Sequence, residues 1–413
     1  MHTPNTLKLH IDESCEYRLR REMPWLFSKY TNFEKQSPNI GDLVAIYGKK
    51  NQCIKLGLYD PYSPISVRIL GNPCQFSLDY IQNRIEDALK YREQTQIYNE
   101  HTNGLRILSG ESEGLPGIVI DAFADTWVIK IYTACWLPYL NDVLNIISSF
   151  AENPDNLNHA CCVPNRMILR FGRECRKYYE DAGFHEASLF FGKDNTPYTI
   201  FKEQDAIFQA QVFKGQKTGF FLDQRNNRQL IRTLAKDKKV LDICCYSGGF
   251  SINAAMGGAY EVWSLDGDKH ALDLVQKHYE LNADNAFVAH SQHILQKSDM
   301  FEWLSRADEK RMKFDLIIAD PPSFASSQSQ IPAAEKAYGR LFSAAANLLR
   351  PGGQILCCSC SSHIGSDKFA QIVRKSLLHK TSESVDYTGL PNDHVAKFAE
   401  ARYLKAWLIQ VKS

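Results

Sequence analysis

The pattern of hydrophobic and polar positions changes twice along the chain. Over residues 1–75, short apolar runs at Asp42–Tyr47, Cys53–Tyr59 and Ile65–Ile69 are separated by Gly, Asn, Asp and Pro. Runs of this length bounded by turn residues are typical of β-strands. We therefore expect residues 1–75 to form a small β-barrel.

The middle region, residues 76–190, mixes two periods. Apolar residues recur at helical spacing over Leu78–Tyr98 and again over Leu137–Phe150, whereas Trp127–Tyr132 and Met167–Phe171 have the composition of strands. This mixture predicts a small α+β domain.

Beyond residue 190, strands alternate with helical segments. Candidate strands lie at Lys239–Ile243, Glu261–Leu265, Phe314–Ala319 and Gly353–Ser361. Such alternation is typical of a parallel, doubly wound sheet. We expect residues 191–413 to form an α/β domain of the Rossmann-like class.

Composition narrows the class of protein. A chain of 413 residues that is 44% hydrophobic can bury more than one core, and no apolar run approaches the roughly 18 residues of a membrane span. We expect a soluble cytoplasmic protein with no membrane partner. The twelve cysteines lack regular spacing, which favours reduced thiols over a disulfide framework.

The net charge of the whole chain does not indicate which kind of partner it binds. The formal net charge is +1, so contact with a nucleic acid would need a local basic surface. Residues 1–75 contain ten Lys and Arg against seven Asp and Glu, with Arg18, Arg20 and Arg21 close to Trp25. This region is mildly basic and aromatic.

A glycine turn follows the first strand of the α/β domain. Asp242 lies within that strand, Tyr246 lies in the turn, and Gly248 and Gly249 precede a small-residue helix. Glycine lets the backbone approach a ligand because no Cβ intervenes, and the amides of a helix start can face a polar group. We expect the two glycines to contact a cofactor.

Acidic residues recur at the ends of successive strands. Asp242, Asp266 and Asp320 would emerge at the edge where open α/β sheets bind ligands. Asp266 follows Gly248 by 18 residues, near the spacing of about 20 expected for a ribose-binding acid. Asp299 could accept a hydrogen bond from an adenine amino group. One isolated Asp is more often a turn or cap residue, but three at strand ends favour a nucleoside site.

Two cofactor classes fit a nucleoside site at this edge. A nicotinamide dehydrogenase would ordinarily show Gly-x-Gly-x-x-Gly, which Cys245–Phe250 lacks. The strand, glycine turn and acidic strand ends therefore favour a methyltransferase that uses S-adenosylmethionine over a dehydrogenase, which is the lower-ranked alternative.

Taken together, the motifs resemble the bacterial large-subunit ribosomal RNA cytosine-5 methyltransferase I family. The resemblance covers nearly the whole chain and rests on Lys217–Arg225, Asp242–Phe250, Asp266 and Asp320–Phe324. At the N-terminus, Pro24–Ser28 and Gly57–Tyr59 resemble the family's RNA-binding PUA domain, and Gly114–Gly117 resembles its middle domain.

The resemblance implies S-adenosylmethionine as the methyl donor and large-subunit ribosomal RNA as the partner, and leaves a homodimer open. The residues that it implies at the donor are Gln224, Arg225, Asp242, Tyr246, Gly248, Gly249, Asp266 and Asp299. It also implies Cys360 as the catalytic nucleophile. Family members that methylate guanine nitrogens, and a non-catalytic RNA-binding assembly factor, remain alternatives.

The chemistry of cytosine explains why a cysteine would be needed. Carbon 5 is a poor nucleophile until a thiolate adds to carbon 6. Cys360 would lie near the carboxyl end of the strand Gly353–Ser361, on the face of Cys358 and opposite Cys357. A metal site at Cys357 and Cys360 is disfavoured because no second spaced pair supplies the other ligands.

Asp320 is the second expected catalytic residue. Its carboxyl group would hydrogen bond to the cytosine edge. Phe221 or Phe324 could stack on a base removed from the helix. Some related enzymes carry a second cysteine beside the position of Asp320, whereas this chain has Pro321-Pro322-Ser323, so the base for the final deprotonation is not identified.

Overall fold

A computed structural model describes residues 5–33, 37–73, 76–157, 160–325, 327–377 and 381–412. The chain forms two compact units. The first comprises Met1–Gln204, Ala210–Leu222 and Asn392–Phe398, and the second comprises Asp205–Gln209, Asp223–Pro391 and Ala399–Ser413. The regions 1–75 and 76–190 both lie in the first unit, and the domain boundaries at these positions stay predictions. Among the described residues, no helix is long and apolar enough to cross a bilayer.

The first sheet of the first unit has five strands in the order β1-β3-β4-β5-β2. Its elements are β1 (Thr6–His10), α1 (Glu13–Arg20), β2 (Trp25–Phe27), β3 (Leu43–Tyr47), β4 (Cys53–Tyr59) and β5 (Ile65–Gly71). β1 pairs with β3 in parallel, and the other pairs are antiparallel. The three strands expected from apolar runs are confirmed, whereas β1, α1 and β2 were not predicted.

The second sheet of this unit has the order β10-β9-β8-β7-β6. Its elements are α2 (Leu78–Thr95), β6 (Gly104–Ser109), β7 (Ile118–Phe123), β8 (Thr126–Ile131), α3 (Leu140–Glu152), β9 (Arg166–Phe171), α4 (Arg176–Asp181) and β10 (Ser188–Phe191). The apolar stripes of α2 and α3 pack against one face of this sheet in a single core. Ser77 begins α2 by accepting a hydrogen bond from the Tyr80 amide, as expected for a serine N-cap.

The remaining strands are β11 (Thr199–Glu203), β12 (Ala206–Ala210), β13 (Lys239–Ile243), β14 (Glu261–Asp266), β15 (Gln292–Lys297), β16 (Phe314–Ala319), β17 (Leu349–Ser359), β18 (Thr381–Thr388) and β19 (Lys405–Val411). The remaining helices are α5 (Arg225–Leu234), α6 (Gly249–Met256), α7 (Lys269–Leu281), α8 (Ala286–His290), α9 (Met300–Glu309), α10 (Ile331–Asn347) and α11 (Ser366–Leu377).

The second unit is built on a seven-stranded sheet with the order β15-β14-β13-β16-β17-β19-β18. β13 to β17 are parallel, and β19 is antiparallel to both of its neighbours. The expected doubly wound α/β fold is confirmed. The strand order reverses between β13 and β16, and such a reversal leaves a ligand crevice beyond the carboxyl ends of these two strands.

The strand that carries the cysteines differs from its expected bounds. β17 begins at Leu349 and ends at Ser359, so that Cys360 is the first residue beyond it. Its pairing with β16 skips from Leu349 to Gln354, and the residues between form an irregular bulge. Gly352 within this bulge has φ 74°, which glycine adopts without a Cβ clash.

Candidate active site

The chain leaves β13 through a turn with three left-handed residues. φ is 61° at Cys244, 47° at Tyr246 and 75° at Gly248. Residues other than glycine pay about 1–2 kcal/mol for this conformation. A Cβ on Gly248 would lie 2.8 Å from Cγ1 of Val275, so both backbone and packing require glycine there. α6 then begins at Gly249, and Gly248 has no side chain to cover its first amides.

Asp242 lies beneath this turn. Its Oδ2 accepts a hydrogen bond of 2.7 Å from Ser251 Oγ, which in turn accepts one of 2.7 Å from Ser264 Oγ. Burial raises the pKa of Asp242 to about 7, and the charges of Asp320 and Asp266 add to the rise. Because the side chain is fully buried, the geometry favours support of the turn over direct contact with a ligand.

Asp266 connects the turn to the end of β14. Its Oδ2 accepts from the Tyr246 amide and its Oδ1 accepts from the Asp268 amide, each at 2.9 Å. A carboxylate oxygen can accept two hydrogen bonds, and Asp266 is half-buried. Acceptor capacity therefore remains for the hydroxyl groups of a sugar.

Asp299 is the N-cap of α9. Its Oδ1 accepts from the amides of Phe301 at 2.9 Å and Glu302 at 3.1 Å. The cap function that is common for an isolated aspartate is thus present here. Its expected contact with adenine stays a prediction.

The charges of four acidic residues act on one thiol, that of Cys244. Burial raises the pKa of Cys244, and the negative charges of Asp266, Asp320, Asp242 and Asp299 raise it further, in that order. A thiolate would be disfavoured by each of these carboxylates. The acids expected at separate strand ends therefore lie around a single turn.

Gln224 contacts Asp320. Gln224 Nε2 donates to Asp320 Oδ2 at 2.8 Å, while Gln224 Oε1 accepts from Asn227 Nδ2. The contact with Asn227 orients the amide, because only its NH2 group can donate to a carboxylate. Arg225, the first residue of α5, is buried. Gln224 was expected to contact the methyl donor. In the structure it donates a hydrogen bond that positions Asp320.

Cys360 lies at the same edge as Asp320. Ala319 pairs with Cys357, so extending the register puts Asp320 opposite Cys358 and places Cys360 on the same face. Burial raises the pKa of Cys358, and the charges of Asp320 and Cys360 add to the rise. Cys357 packs in the apolar core. The register of β16 and β17 thus places the two expected catalytic residues, Cys360 and Asp320, at one edge of the sheet.

The segments that follow β16 and β17 are connected to each other. Ser361 Oγ donates to the Ala325 carbonyl at 3.0 Å, and the Tyr338 hydroxyl lies 3.0 Å from Ser359 Oγ. The Phe324 ring packs edge-on against Tyr338 with centroids 4.7 Å apart. Phe324 is therefore part of this packing, and its contact with a base stays a prediction.

Lys405 was not found by sequence reasoning. It is 1% exposed, and its Nζ donates to the carbonyls of Ser361 at 2.5 Å and Ile364 at 2.7 Å. β19 pairs Lys405 with Ser359, the residue before Cys360. Burial lowers the pKa of Lys405 to about 8, and the negative charge of Cys360 opposes that shift. The signal available in the sequence was a lone lysine at the start of an apolar strand.

His278 is a second residue that sequence reasoning missed. Its Nε2 accepts from the Gln209 amide at 2.9 Å, so Nδ1 carries the proton and donates to the Ser247 carbonyl at 2.7 Å. Burial lowers the pKa of His278 to about 4. The neutral ring therefore anchors the glycine turn at ordinary pH.

Comparison with known families agrees with this geometry. A family of S-adenosylmethionine-dependent methyltransferases matches residues 188–387, and a family of PUA-like domains matches residues 9–72. The donor expected from the acidic strand ends and the PUA-like domain expected from the N-terminal motifs are thereby confirmed.

Individual relatives match over nearly the full length. A ribosomal RNA large subunit methyltransferase of Deinococcus radiodurans is 34% identical over 415 residues, which cover 98% of this chain and 97% of that protein. Ribosomal RNA large subunit methyltransferase I of Photobacterium profundum is 29% identical, with coverages of 98% and 100%.

The fold has a counterpart among solved structures. The crystal structure of SMU.776, a candidate methyltransferase complexed with SAH, matches with a TM-score of 0.82 at 20% identity and covers 98% of this chain and 100% of that one. With family, relatives and fold in agreement, the chain belongs to the S-adenosylmethionine-dependent ribosomal RNA large subunit methyltransferases.

Proposed function

We propose that this protein methylates carbon 5 of a cytosine in large-subunit ribosomal RNA, with Cys360 as the nucleophile. The observation that carries the proposal is the half-buried thiol of Cys360 directly after β17, on the sheet face and edge where Asp320 follows β16. A nucleophile next to a hydrogen-bonding carboxyl group is what this chemistry requires. The names of the two relatives support ribosomal RNA as the substrate class.

The residues around the glycine turn fit S-adenosylmethionine. Gly248 and Gly249 offer backbone amides unobstructed by a Cβ, and the half-buried Asp266 retains acceptors for ribose hydroxyls. Asp299 offers an acceptor beside the half-buried, apolar Met300, as an adenine amino group and ring would require. When bound, S-adenosylmethionine supplies an electrophilic methyl group.

Cys360 performs the first step. Its thiolate adds to carbon 6 of cytosine, and the electron pair of the C5–C6 double bond moves to carbon 5, which becomes nucleophilic. After carbon 5 has been methylated, a base removes its proton. The C5–C6 double bond forms again, and the C–S bond breaks with its electron pair returning to sulfur.

Asp320 holds the base during this sequence. Gln224 donates to Oδ2 of Asp320. The carboxyl group of Asp320 accepts from the exocyclic amino group of cytosine or, when protonated, donates to ring nitrogen 3. The bond to ring nitrogen 3 draws electron density away from carbon 6 and favours attack by the thiolate, whereas the bond to the amino group fixes the position of the base.

Lys405 stabilises the thiolate of Cys360. Its ammonium group is fixed by two carbonyls and is buried, and a positive charge in a poorly solvated site favours a neighbouring anion. Because the pKa of Lys405 is about 8, most of this positive charge is present at neutral pH and is lost as the pH rises above that value.

Replacing Lys405 with Met should reduce the reactivity of Cys360. Loss of the ammonium charge should raise the thiol pKa by roughly one unit or more, so that alkylation by iodoacetamide near pH 7 slows about tenfold. The rate is followed over pH by mass spectrometry of the peptide that contains Cys360. Lys405→Arg keeps the charge and should retain most of the reactivity. Identical pH profiles for wild type and Lys405→Met would refute this function of the lysine.

Mass spectrometry of the modified nucleoside tests the proposed function directly. Unmodified large-subunit ribosomal RNA, incubated with the protein and S-adenosylmethionine, should yield 5-methylcytidine. A methylguanosine product would instead support the nitrogen methyltransferase, for which Asp320 suffices without a thiol. Absence of both a product and donor binding would favour the non-catalytic assembly factor.

A further inference from the structure

The sheet β10-β9-β8-β7-β6 of the first unit has two unlike faces. One face supplies apolar residues to the core, among them Ile107, Ile120, Ile129 and Leu169. Because successive residues of a strand point to opposite faces, the other face carries Arg106, Asp121, Lys130, Arg166 and Arg170. A charged face of this kind needs polar partners, since isolated buried charges are costly.

Two cations of this face hold the turn at residues 215–217. Lys130 Nζ donates to the Lys217 carbonyl at 2.7 Å, and Arg170 Nη1 donates to the carbonyls of Gly215 at 2.8 Å and Lys217 at 3.1 Å. Lys130 and Arg170 are directly paired across β8 and β9. Their positive charges are thus satisfied by backbone dipoles, and the turn is fixed on the sheet.

Aromatic rings accompany the cations at this turn. Lys217 Nζ lies 4.4 Å from the ring centroid of Phe221, and Lys130 Nζ lies 5.3 Å from that of Tyr132. Tyr132 is 42% exposed, and Phe221 is half-buried. Each ring therefore combines an accessible surface with an adjacent positive charge.

Further exposed cations border the Tyr132 ring. A Cβ on Gly172 would lie 3.1 Å from the Tyr132 Cα, and the Gly172 carbonyl accepts from the Arg176 amide at 3.0 Å. Arg173 and Arg176 are both exposed and follow Gly172 by one and four residues, so the backbone places both cations on the segment next to Tyr132.

The turn at residues 215–217 is preceded by one more cation, and two carboxylates lie near the cations of this region. Lys214 is exposed immediately before Gly215. Glu186 lies 3.3 Å from Arg170 and 3.5 Å from Arg176, and Glu174 is exposed on the same segment. The six cations named at this turn and on the segment beside it, Lys130, Arg170, Arg173, Arg176, Lys214 and Lys217, outnumber these two carboxylates.

We propose that this surface binds a single-stranded segment of the RNA substrate. It consists of Tyr132, Arg173, Arg176, Lys214, Lys217 and Phe221 and is called the basic-aromatic surface below. Its four cations match phosphates, and its rings match the faces of unpaired bases, which duplex RNA keeps stacked inside the helix. The identity of the partner as RNA rests on the proposed function.

A triple substitution in the full-length protein tests this surface. Arg173→Ala, Arg176→Ala and Lys214→Ala together remove three exposed cations. Lys277→Ala, Lys310→Ala and Lys375→Ala remove the same charge from exposed positions of the second unit and form the matched control. Binding is measured by fluorescence anisotropy with a labelled single-stranded fragment of large-subunit ribosomal RNA.

The triple variant should bind this fragment roughly tenfold or more weakly near 0.1 M salt. Its plot of log affinity against log salt concentration should be shallower by about 2, because each lost phosphate contact removes about 0.7 from the slope for single strands. Tyr132→Ala should weaken binding at least about fivefold through lost stacking, and Tyr132→Phe should restore it. Equal affinity of the triple variant and the control would overturn the inference, as would tighter binding of duplex than of single-stranded RNA.

Methylation measured in the same samples separates this inference from the proposed function. Weakened binding by the triple variant, together with no 5-methylcytidine from the wild type, would uphold the surface and overturn the proposed function. Formation of 5-methylcytidine by all proteins, with unchanged RNA binding by the triple variant, would overturn the surface and uphold the proposed function.

Discussion

Cys360→Ala is expected to lose at least about a thousandfold in methyl transfer to RNA. Without the thiolate, carbon 6 receives no nucleophile, and carbon 5 keeps too little electron density to attack a methyl group. Transfer of a labelled methyl group to ribosomal RNA measures the loss. Calorimetric titration with S-adenosylmethionine should show unchanged binding, because the donor residues lie at the ends of other strands.

Cys358→Ala is the matched control for this prediction. Cys358 is fully buried, and burial together with the charge of Asp320 raises its pKa, which favours the protonated thiol over a thiolate. Its removal should cost some stability through a small cavity but leave activity within about tenfold of wild type. Activity of Cys360→Ala comparable with that of Cys358→Ala would refute the nucleophile and favour methylation of a guanine nitrogen.

A substituted RNA gives an independent readout for Cys360. In RNA that contains 5-fluorocytidine, fluorine replaces the proton that must leave carbon 5 after methylation. The C–S bond to Cys360 should therefore persist and produce a complex that survives a denaturing gel. Wild type and Cys358→Ala should form this complex, and Cys360→Ala should not.

Asp266→Asn is expected to weaken binding of S-adenosylmethionine about 10- to 100-fold. Asp266 accepts from two backbone amides and keeps lone pairs for a ribose. An asparagine replaces one oxygen with an NH2 group that would face either the Tyr246 amide or the Asp268 amide, donor against donor. Hydrogen bonds to a charged group contribute roughly 1.5–3 kcal/mol, which sets the expected range. Calorimetric titration with the donor measures the change.

Asp268→Asn is the control for the same chemical change two residues away. Asp268 caps α7 by accepting from the His270 amide at 2.9 Å, and asparagine caps helices about as well as aspartate. Its donor affinity should stay within about twofold of wild type. If the two variants bind S-adenosylmethionine equally well, the function of Asp266 at the ribose is refuted.

Several local features followed from the sequence alone. The observed bounds of β13, Lys239–Ile243, and of β16, Phe314–Ala319, are those expected. Buried parallel strands are continuous apolar runs that end at turn residues, so neighbouring residues in the sequence determine where they begin and end. The glycine turn at Gly248 and the chemical class of the donor could also be inferred, because the residues that indicate them follow the strands directly in the sequence.

Other features were decided only by tertiary contacts. Lys405 reaches the segment after Cys360 because β19 pairs antiparallel with β17, and Gln224 reaches Asp320 across 96 positions of the chain. Asp393 belongs to the first unit although most of its sequence neighbours lie in the second, and its carbonyl accepts from Arg92 at 2.8 Å.

The physical reason for this division is the range of the forces involved. Periodicity and turn chemistry depend on neighbouring residues, so strands, turns and the acids at strand ends could be predicted from the sequence. Burial, pairing register and hydrogen bonds between distant segments depend on the folded chain. The sequence therefore determined which residues are available for methyl transfer, and the tertiary structure decided that Gln224 positions Asp320 and that Lys405 lies beside Cys360.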